Sequence, residues 1–545
     1  MAISGFITIF AENSEFAMTA RQRKYPVGIQ TFSEMIRERY VYVDKTDLVW
    51  KMTHYAKYTF LSRPRRFGKS VLSSTLHSYF AGERELFEGL KIMELEQDWR
   101  QYPVLHFDLS GSKHLTPQAV KEELGRLLKP YEAIYGRDKD ETTPGMRMAG
   151  LVNRAYEQTQ RQVVVIIDEY DAPLLDVLHD ERLLYDMREV MQEFYQRLKM
   201  LDPKLKYCFI TGITKFSQLS IFSTINNLMN ITMDSKFSAI CGITEHELTT
   251  TLHEDIELLA ERNEMTYEEM HAKLKLQYDG YHFSKQSEEI YNPFSLVKAF
   301  LSGEVGAYWF DSGTPAFLIR QMQHFRTDIT TLEKMEVPST AFDKPTEAMT
   351  TALPLLYQSG YLTIKDYERE SATYTLGIPN QEVRVGYAEG LLPAYVGLDS
   401  SDVQTGFALK FWRALKRGDI DQAMRDMQSY LASIPYVEGF KRKLEEVSNA
   451  EGFYEYTFYL IFSMLNVYAR TQVKCSGGRA DIVVWMSDAI YVIELKVNGT
   501  AQDALQQIND NGYARPYEQD GRRIVKIGVR FSLESKTVEE WVIKG

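Results

Sequence analysis

The sequence predicts an α/β protein of several domains, with a parallel sheet crossed by helices in its N-terminal half and a smaller α/β unit at its C-terminal end. Three observations carry that expectation. Strand-like runs at Tyr58–Ser62, Val104–Leu109, Val163–Asp168 and Tyr207–Gly212 alternate with helical patterns at Ser70–Phe80, Gln118–Tyr135 and Leu183–Leu198, and parallel strands require such crossovers. The last hundred residues return to this alternation: helix Phe453–Tyr468, strands Ala480–Trp485 and Ala489–Lys496, helix Gln502–Asn509 and strand Val525–Val529. The third is length: 545 residues exceed what one core serves, and 44% hydrophobic content supplies a core to each of several domains.

In chain order, residues 1–24 read as a loose tail and 25–243 as the sheet domain. Residues 244–345 are mainly helical and charged, with no buried-strand run from Thr244 to Leu276, which suits a lid. Residues 346–400 read as helix, Ser359-Gly360 turn and strand, then Thr373–Ile378 and Glu382–Val385, the pattern of a small winged-helix-like module. Residues 401–447 are helical, broken at Lys416-Arg417-Gly418-Asp419, and 448–545 form the C-terminal unit.

A net charge of -12 and a pI near 5.5 exclude a protein that coats nucleic acid through bulk charge, so any such contact is local. Cys208, Cys241 and Cys475 lie far apart with no CxxC pair. That spacing excludes a zinc ribbon and a disulfide framework and fits a reducing compartment. Ile3–Phe10 is apolar but short and runs into Glu12 and Glu15, unlike a signal peptide, and no run approaches the ~18 apolar residues that cross a bilayer. A cytoplasmic protein without a membrane partner is expected.

The segment Arg63-Pro64-Arg65-Arg66-Phe67-Gly68-Lys69-Ser70 falls between a predicted strand and a predicted helix, where a phosphate-binding P-loop belongs. Backbone N–H groups at the helix N-terminus face phosphate, a lysine reaches the β and γ oxygens, and a hydroxyl ligates Mg²⁺. Arg65, Arg66, Phe67, Gly68, Lys69, Ser70 and Val71 are therefore the candidate ATP-binding residues. Arg63 stands where the P-loop pattern has its first glycine, and a basic turn indifferent to anions is the alternative. The apolar run Val163–Ile167 ends in Asp168-Glu169, and ligands bind at such strand ends. Asp168 would join Ser70 on Mg²⁺, and Glu169 would orient the attacking water. After Tyr207–Gly212, Thr214 is the candidate γ-phosphate sensor, with Thr211 and Lys215 as rivals and a plain turn as the bland reading. Arg65 and Arg66 act on phosphate in cis or on a neighbouring copy in a homo-oligomer, or are surface charge.

These motifs, with Tyr25-Pro26-Val27-Gly28, Tyr42-Val43-Asp44-Lys45-Thr46 and Val165-Ile166-Ile167-Asp168-Glu169-Tyr170-Asp171, resemble the bacterial AAA-ATPase-like family over roughly residues 25–300. The resemblance takes in Asp279-Gly280-Tyr281 and Tyr291-Asn292-Pro293, and that family carries the same arginine-rich loop. It implies an AAA+/STAND-type P-loop NTPase core using ATP and Mg²⁺.

In the C-terminal unit, phosphodiester cleavage would need carboxylates to hold a divalent cation and a side-chain cation to assist water or stabilise charge. Asp481 opens one predicted strand, while Glu494 and Lys496 share a face of the next at i, i+2 spacing. A structural Glu–Lys pair on a solvated face is the bland alternative. All ten histidines lie at or before His324, which leaves carboxylate and lysine chemistry. Gly477-Gly478-Arg479-Ala480-Asp481, Val492-Ile493-Glu494-Leu495-Lys496, Ala504-Leu505-Gln506-Gln507-Ile508 and Tyr513 resemble the PD-(D/E)XK nuclease superfamily over about residues 448–545. That resemblance implies a restriction-endonuclease-like fold with Asp481 and Glu494 as metal ligands for Mg²⁺ or Mn²⁺, Lys496 as the catalytic lysine and Gln507 as an auxiliary polar residue. It makes Glu451 the upstream acid, with Glu455 its rival. From Lys441 onward acidic and basic residues are equal in number, so Arg479, Arg515, Arg522, Arg523 and Lys526 are candidate nucleic-acid contacts or ordinary solvated surface.

Two functions are consistent with the sequence. One is an ATP-binding and ATP-hydrolysing protein that controls a C-terminal nuclease acting on DNA or RNA, in defence or mobile-element control by analogy of architecture. The other is a signalling or scaffold ATPase whose nuclease-like domain only binds nucleic acid or a protein.

Overall fold

The structure is a computed structural model. It describes residues 23–111, 113–178, 180–215, 227–309, 334–344, 349–387, 413–433, 468–475, 477–486, 488–532 and 537–545, with scattered residues between 318 and 332, 407 and 411, 454 and 461, and 534 and 535. The chain divides into two compact units, Met1–Trp309 with Val337–Thr375, and Phe310–Glu336 with Leu376–Gly545.

The first unit is built on five parallel strands, β1 (Tyr58–Ser62), β2 (Val104–Asp108), β3 (Val163–Asp168), β4 (Leu205–Gly212) and β5 (Met229–Asn230), in the order β2-β3-β4-β1-β5. β1 and β3 are buried at every residue, as strands covered on both faces by helices must be. The covering helices begin where the sequence supplies caps. Thr116 accepts from the Ala119 N–H ahead of helix Pro117–Tyr135, Thr143 from Met146 ahead of Pro144–Thr159, and Asp180 from Arg182 and Leu183 ahead of Glu181–Met200. Their apolar faces share one core with the sheet, centred on Phe107, Leu124, Leu151, Val165, Met191 and Phe194.

Helices Glu245–Thr251, His253–Arg262, Tyr267–Tyr278 and Pro293–Ser302 form a second core around Leu248, Leu259, Leu274 and Leu296, joined by the short pair β6 (Ile243–Thr244) and β7 (Ile290–Tyr291). The stretch is mainly helical, as its sequence texture predicts. Beyond it, β8 (Met335–Pro338), β9 (Thr363–Glu368) and β10 (Thr373–Gly377) form a sheet in the order β8-β10-β9, with helix Leu353–Gln358 preceding β9. The small module therefore draws in a strand upstream of residue 346. Glu382–Val385 does not extend it, because residues 381–387 are helical.

The second unit holds a mixed sheet, β11 (Tyr468–Cys475), β12 (Gly478–Trp485), β13 (Ala489–Lys496), β14 (Arg523–Phe531) and β15 (Val538–Lys544), paired in chain order. Only β13 and β14 are parallel, and helix Ala501–Asp510 makes the crossover between them. Thr500 and Asp503 start that helix with a capping box. Gly528 lets the helix lie against β14: a Cβ there would strike the Ala501 carbonyl oxygen and come within 2.6 Å of the Leu505 nitrogen. That close approach puts the helix over β13. Tyr468 starts β11 rather than ending the expected helix, which is helical at 454–455, 457–458 and 461 among the described residues. Glu451 lies outside the described residues.

Candidate functional site

The loop after β1 turns into helix Lys69–Phe80 through Gly68, whose φ of +90° suits a residue without a Cβ. Lys69 is 3% exposed, 3.2 Å from Glu169 Oε1 and 3.3 Å from the Pro64 carbonyl oxygen. Ser70 hydrogen bonds Asp168, which is 1% exposed. Burial and the Glu169 carboxylate push the Asp168 pKa up to about 7 against the opposing pull of Lys69. A buried carboxyl beside a hydroxyl and the first N–H groups of a helix is a donor set that fits a divalent cation.

Arg63, the departure from the usual P-loop, does not face phosphate. It is 1% exposed and donates to the carbonyls of Ser62 (2.9 Å), Thr232 (2.9 Å) and Phe237 (3.1 Å), with its guanidinium 4.2 Å from the Phe283 ring centroid. It ties the root of the loop to the segment beyond β5. Restoring the glycine by Arg63→Gly should therefore destabilise the first unit by about 2–4 kcal/mol, since buried charged hydrogen bonds are lost and carbonyls are orphaned. Urea unfolding measures this; a variant at least as stable as the parent would show the arginine to be dispensable.

The other loop candidates divide by geometry. Phe67 is fully buried against Tyr281 and Phe283, with centroids 4.7 and 5.3 Å away, so only its backbone can serve phosphate. Arg66 donates to the Tyr308 carbonyl at 2.6 Å and lies 4.0 Å over Phe294, so it joins loop to lid. Arg65 is exposed at the cavity. The sensor expectation fails for Thr214: its hydroxyl and N–H both donate to Asp171 at 2.6 Å, it is fully buried, and its neighbour Ile213 is the one that lines the cavity. Thr211 donates to the Leu61 carbonyl, and Lys215 pairs with Asp343 at 2.9 Å, so neither rival fills the role.

A cavity of about 820 Å³ opens beside the loop. Its lining combines Lys69, Ser70, Lys113 and Glu169 with apolar residues that include Ile29, Met35, Phe294 and Val297. Several residues of the motifs that carry the resemblance support this region. Tyr25 donates to the buried Asp255 at 2.6 Å, setting the Pro26–Gln30 wall against the lid, and Asn292 caps helix Pro293–Ser302. Asp44 accepts from Thr46, and Lys45 pairs with Glu247 at 2.5 Å.

In the second unit the register Ile482–Ile493 brings Asp481 and Glu494 opposite one another one step further along β12 and β13. The Asp481 N–H donates to Glu494 Oε2 at 3.3 Å, and the Leu495 N–H to Asp481 Oδ2 at 2.8 Å. Glu494 is 2% exposed, Lys496 Nζ is 4.0 Å from its Oε1, and Gln507 on the crossover helix donates to the same oxygen. Gln507 and Asn511 both donate to the Tyr513 hydroxyl, at 3.3 and 2.8 Å. Two facing carboxylates, one almost completely buried, fit a hard divalent cation. Among the described residues no three His, Cys, Asp or Glu side chains already converge as a metal cluster. A residue the sequence reading missed supplies the link to a third acid: Gln472 in β11 donates to Glu455 Oε2 at 3.0 Å and to Asp481 Oδ1 at 3.4 Å. The missed strand β11 hid it.

Comparison with known proteins gives the same division. The family model described as predicted AAA-ATPase matches residues 26–222, and that of the PD-(D/E)XK nuclease superfamily matches 449–541. An uncharacterized protein in the vnfD 5′ region of Azotobacter chroococcum mcd 1 is 33% identical over 531 residues, covering 96% of this chain and 99% of that protein. Among solved structures, the Walker-type ATPase PABY2304 of Pyrococcus abyssi aligns with 62% of this chain and 93% of its own, at 13% identity and a TM-score of 0.33. Among the described residues no helix is long and apolar enough to cross a membrane.

Proposed function

Because the chain belongs to the predicted AAA-ATPase family and ends in a domain of the PD-(D/E)XK nuclease superfamily, we propose that it hydrolyses ATP and that its nucleotide state controls divalent-metal-dependent cleavage of DNA or RNA. The observation that supports this most is the C-terminal constellation, in which Asp481, Glu494, Lys496 and Gln507 meet in one hydrogen-bonded and ion-paired group.

At the first site, triphosphate would lie on the N–H groups that open helix Lys69–Phe80, with the base against apolar lining residues of the cavity. Lys69 would exchange its ion pair with Glu169 for the β and γ oxygens, which frees Glu169 to orient water. Ser70 and Asp168 would hold Mg²⁺. At the second site, Asp481 and Glu494 would hold Mg²⁺ or Mn²⁺, which when bound polarises the scissile phosphate. Lys496 would stabilise charge or assist water there, and Gln507 keeps the Glu494 carboxylate aimed.

Purified protein incubated with DNA and with RNA, with and without Mg²⁺, Mn²⁺ and ATP, tests the reading. Metal-dependent cleavage that changes with ATP is expected. ATP hydrolysis with no cleavage of either substrate would sink the nuclease assignment, and cleavage indifferent to ATP would sink the control.

The raised Asp168 pKa adds a pH signature. Without nucleotide, the protonated carboxyl favours the fold fully below about pH 4, and that contribution is lost as pH rises through about 7. Cation binding demands the carboxylate, so Mg²⁺–ATP binding at pH 6 should release close to one proton and at pH 8.5 almost none. Calorimetry in buffers of different ionisation enthalpy reads this, and equal release at both pH values would contradict it.

A further inference from the structure

We infer that Gln472 is a positioning residue of the C-terminal site, holding Glu455 and Asp481 together so that both acids are presented to one divalent cation; the inference rests on the nuclease reading above. The strand pairs Thr471–Ile482 and Val473–Ala480 flank Gln472 and Asp481 and bring the two residues close together. Yet its φ is +49°, a left-handed value inside a strand, where a β-conformation would be expected of glutamine. The result is an amide whose nitrogen reaches both Asp481 Oδ1 at 3.4 Å and Glu455 Oε2 at 3.0 Å. Glu455 is 8% exposed and sits in the helical stretch before β11.

The choice of glutamine matters chemically. A primary amide has two N–H donors and no charge, so it holds two carboxylates without neutralising them. Lysine or arginine in its place would satisfy the acids and compete with a cation for them. The carboxylate charge of Glu455, Asp481 and Glu494 stays available, while the donors fix where two of the three groups point. Gln507 does the same for Glu494 from the crossover helix. The pair of neutral amides brackets the acids, as partners outside the ligand set of metal sites do.

The test uses the full chain in an Asp168→Asn background, which removes the acid proposed to hold Mg²⁺ at the first site, with Mn²⁺ as the probe. Gln472→Met should weaken Mn²⁺ binding by calorimetry about tenfold, and Gln472→Glu should tighten it about tenfold. Gln472→Glu should also lower Tm in EDTA, because a third carboxylate then crowds the pair, and Mn²⁺ should restore it. Mn²⁺ affinities equal to the parent's in both folded variants, even with lowered Tm, would reduce Gln472 to a structural residue and overturn the inference. Failure of the underlying reading looks different: the parent itself would titrate no Mn²⁺, or Glu494→Ala would titrate as the parent does.

Discussion

Lys69→Ala is expected to lower ATP turnover by about 10²–10³-fold, because the substitution removes the buried ammonium that opens helix Lys69–Phe80 and pairs with Glu169 at the cavity wall. The loss has two parts. The first is direct, since transition-state charge on the γ-phosphoryl group loses its cation. The second follows from the Lys69–Glu169 ion pair, since Lys69 also holds down the Asp168 pKa. Without it, two adjacent acids face each other uncompensated, and Asp168 should bind its proton more tightly still. The variant should therefore lose Mg²⁺–ATP affinity more steeply as pH falls than the parent. Lys69→Arg should not rescue turnover, because a planar guanidinium in a 3% exposed slot cannot take the place of a compact ammonium. Steady-state phosphate release and nucleotide titration measure these effects. Turnover within a few-fold of the parent in Lys69→Ala would mean that the loop is not the catalytic phosphate site.

What was legible in the sequence were the features that repeat locally. Val163–Ile167 could be read as a buried strand because every residue in it is apolar, and the phosphate loop because its residues are contiguous. The mainly helical stretch and the β12–β13 pair followed in the same way. What was not legible depended on contacts between distant segments. Arg63 stands in the sequence only as a departure from the first P-loop glycine, and it is a structural anchor because Thr232 and Phe237 present their carbonyls to it from some 170 residues away. Thr214 looks like a sensor, but Asp171, an acid with no separate signal at the end of the Asp168-Glu169-Tyr170-Asp171 run, takes both its N–H and its hydroxyl. The Asp171 pKa is raised by complete burial and by Glu169, which links this tether to the acid beside Lys69. β11 escaped because Tyr-Ala-Arg-Thr-Gln-Val-Lys-Cys carries an irregular polar pattern, and with it went Gln472.

The second large effect is expected at Glu494, whose replacement by alanine should abolish metal-dependent cleavage, by about 10³-fold or more, while leaving ATP turnover unchanged. The side chain is 2% exposed, accepts from the Asp481 N–H and Gln507, and lies 4.0 Å from Lys496. Alanine would remove one of two facing carboxylates and strand the Gln507 amide, so a stability loss of about 1–3 kcal/mol should accompany the lost activity. Glu494→Gln separates the two consequences. It keeps a side chain that fills the space and bonds its neighbours, so Tm should stay near the parent's, but its neutral amide holds a divalent cation poorly and cleavage should remain lost. Lys496→Ala should behave in the opposite sense, retaining Mn²⁺ binding while slowing cleavage, because the ammonium is 23% exposed and is not part of the carboxylate set. Cleavage by Glu494→Gln at the parent's rate would show that the carboxylate is not a ligand and that the pair on β12 and β13 is structural. Equal loss of ATP turnover and cleavage in that variant would instead show that the substitution acts on the whole chain, and the assignment of chemistry to this site would fall with it.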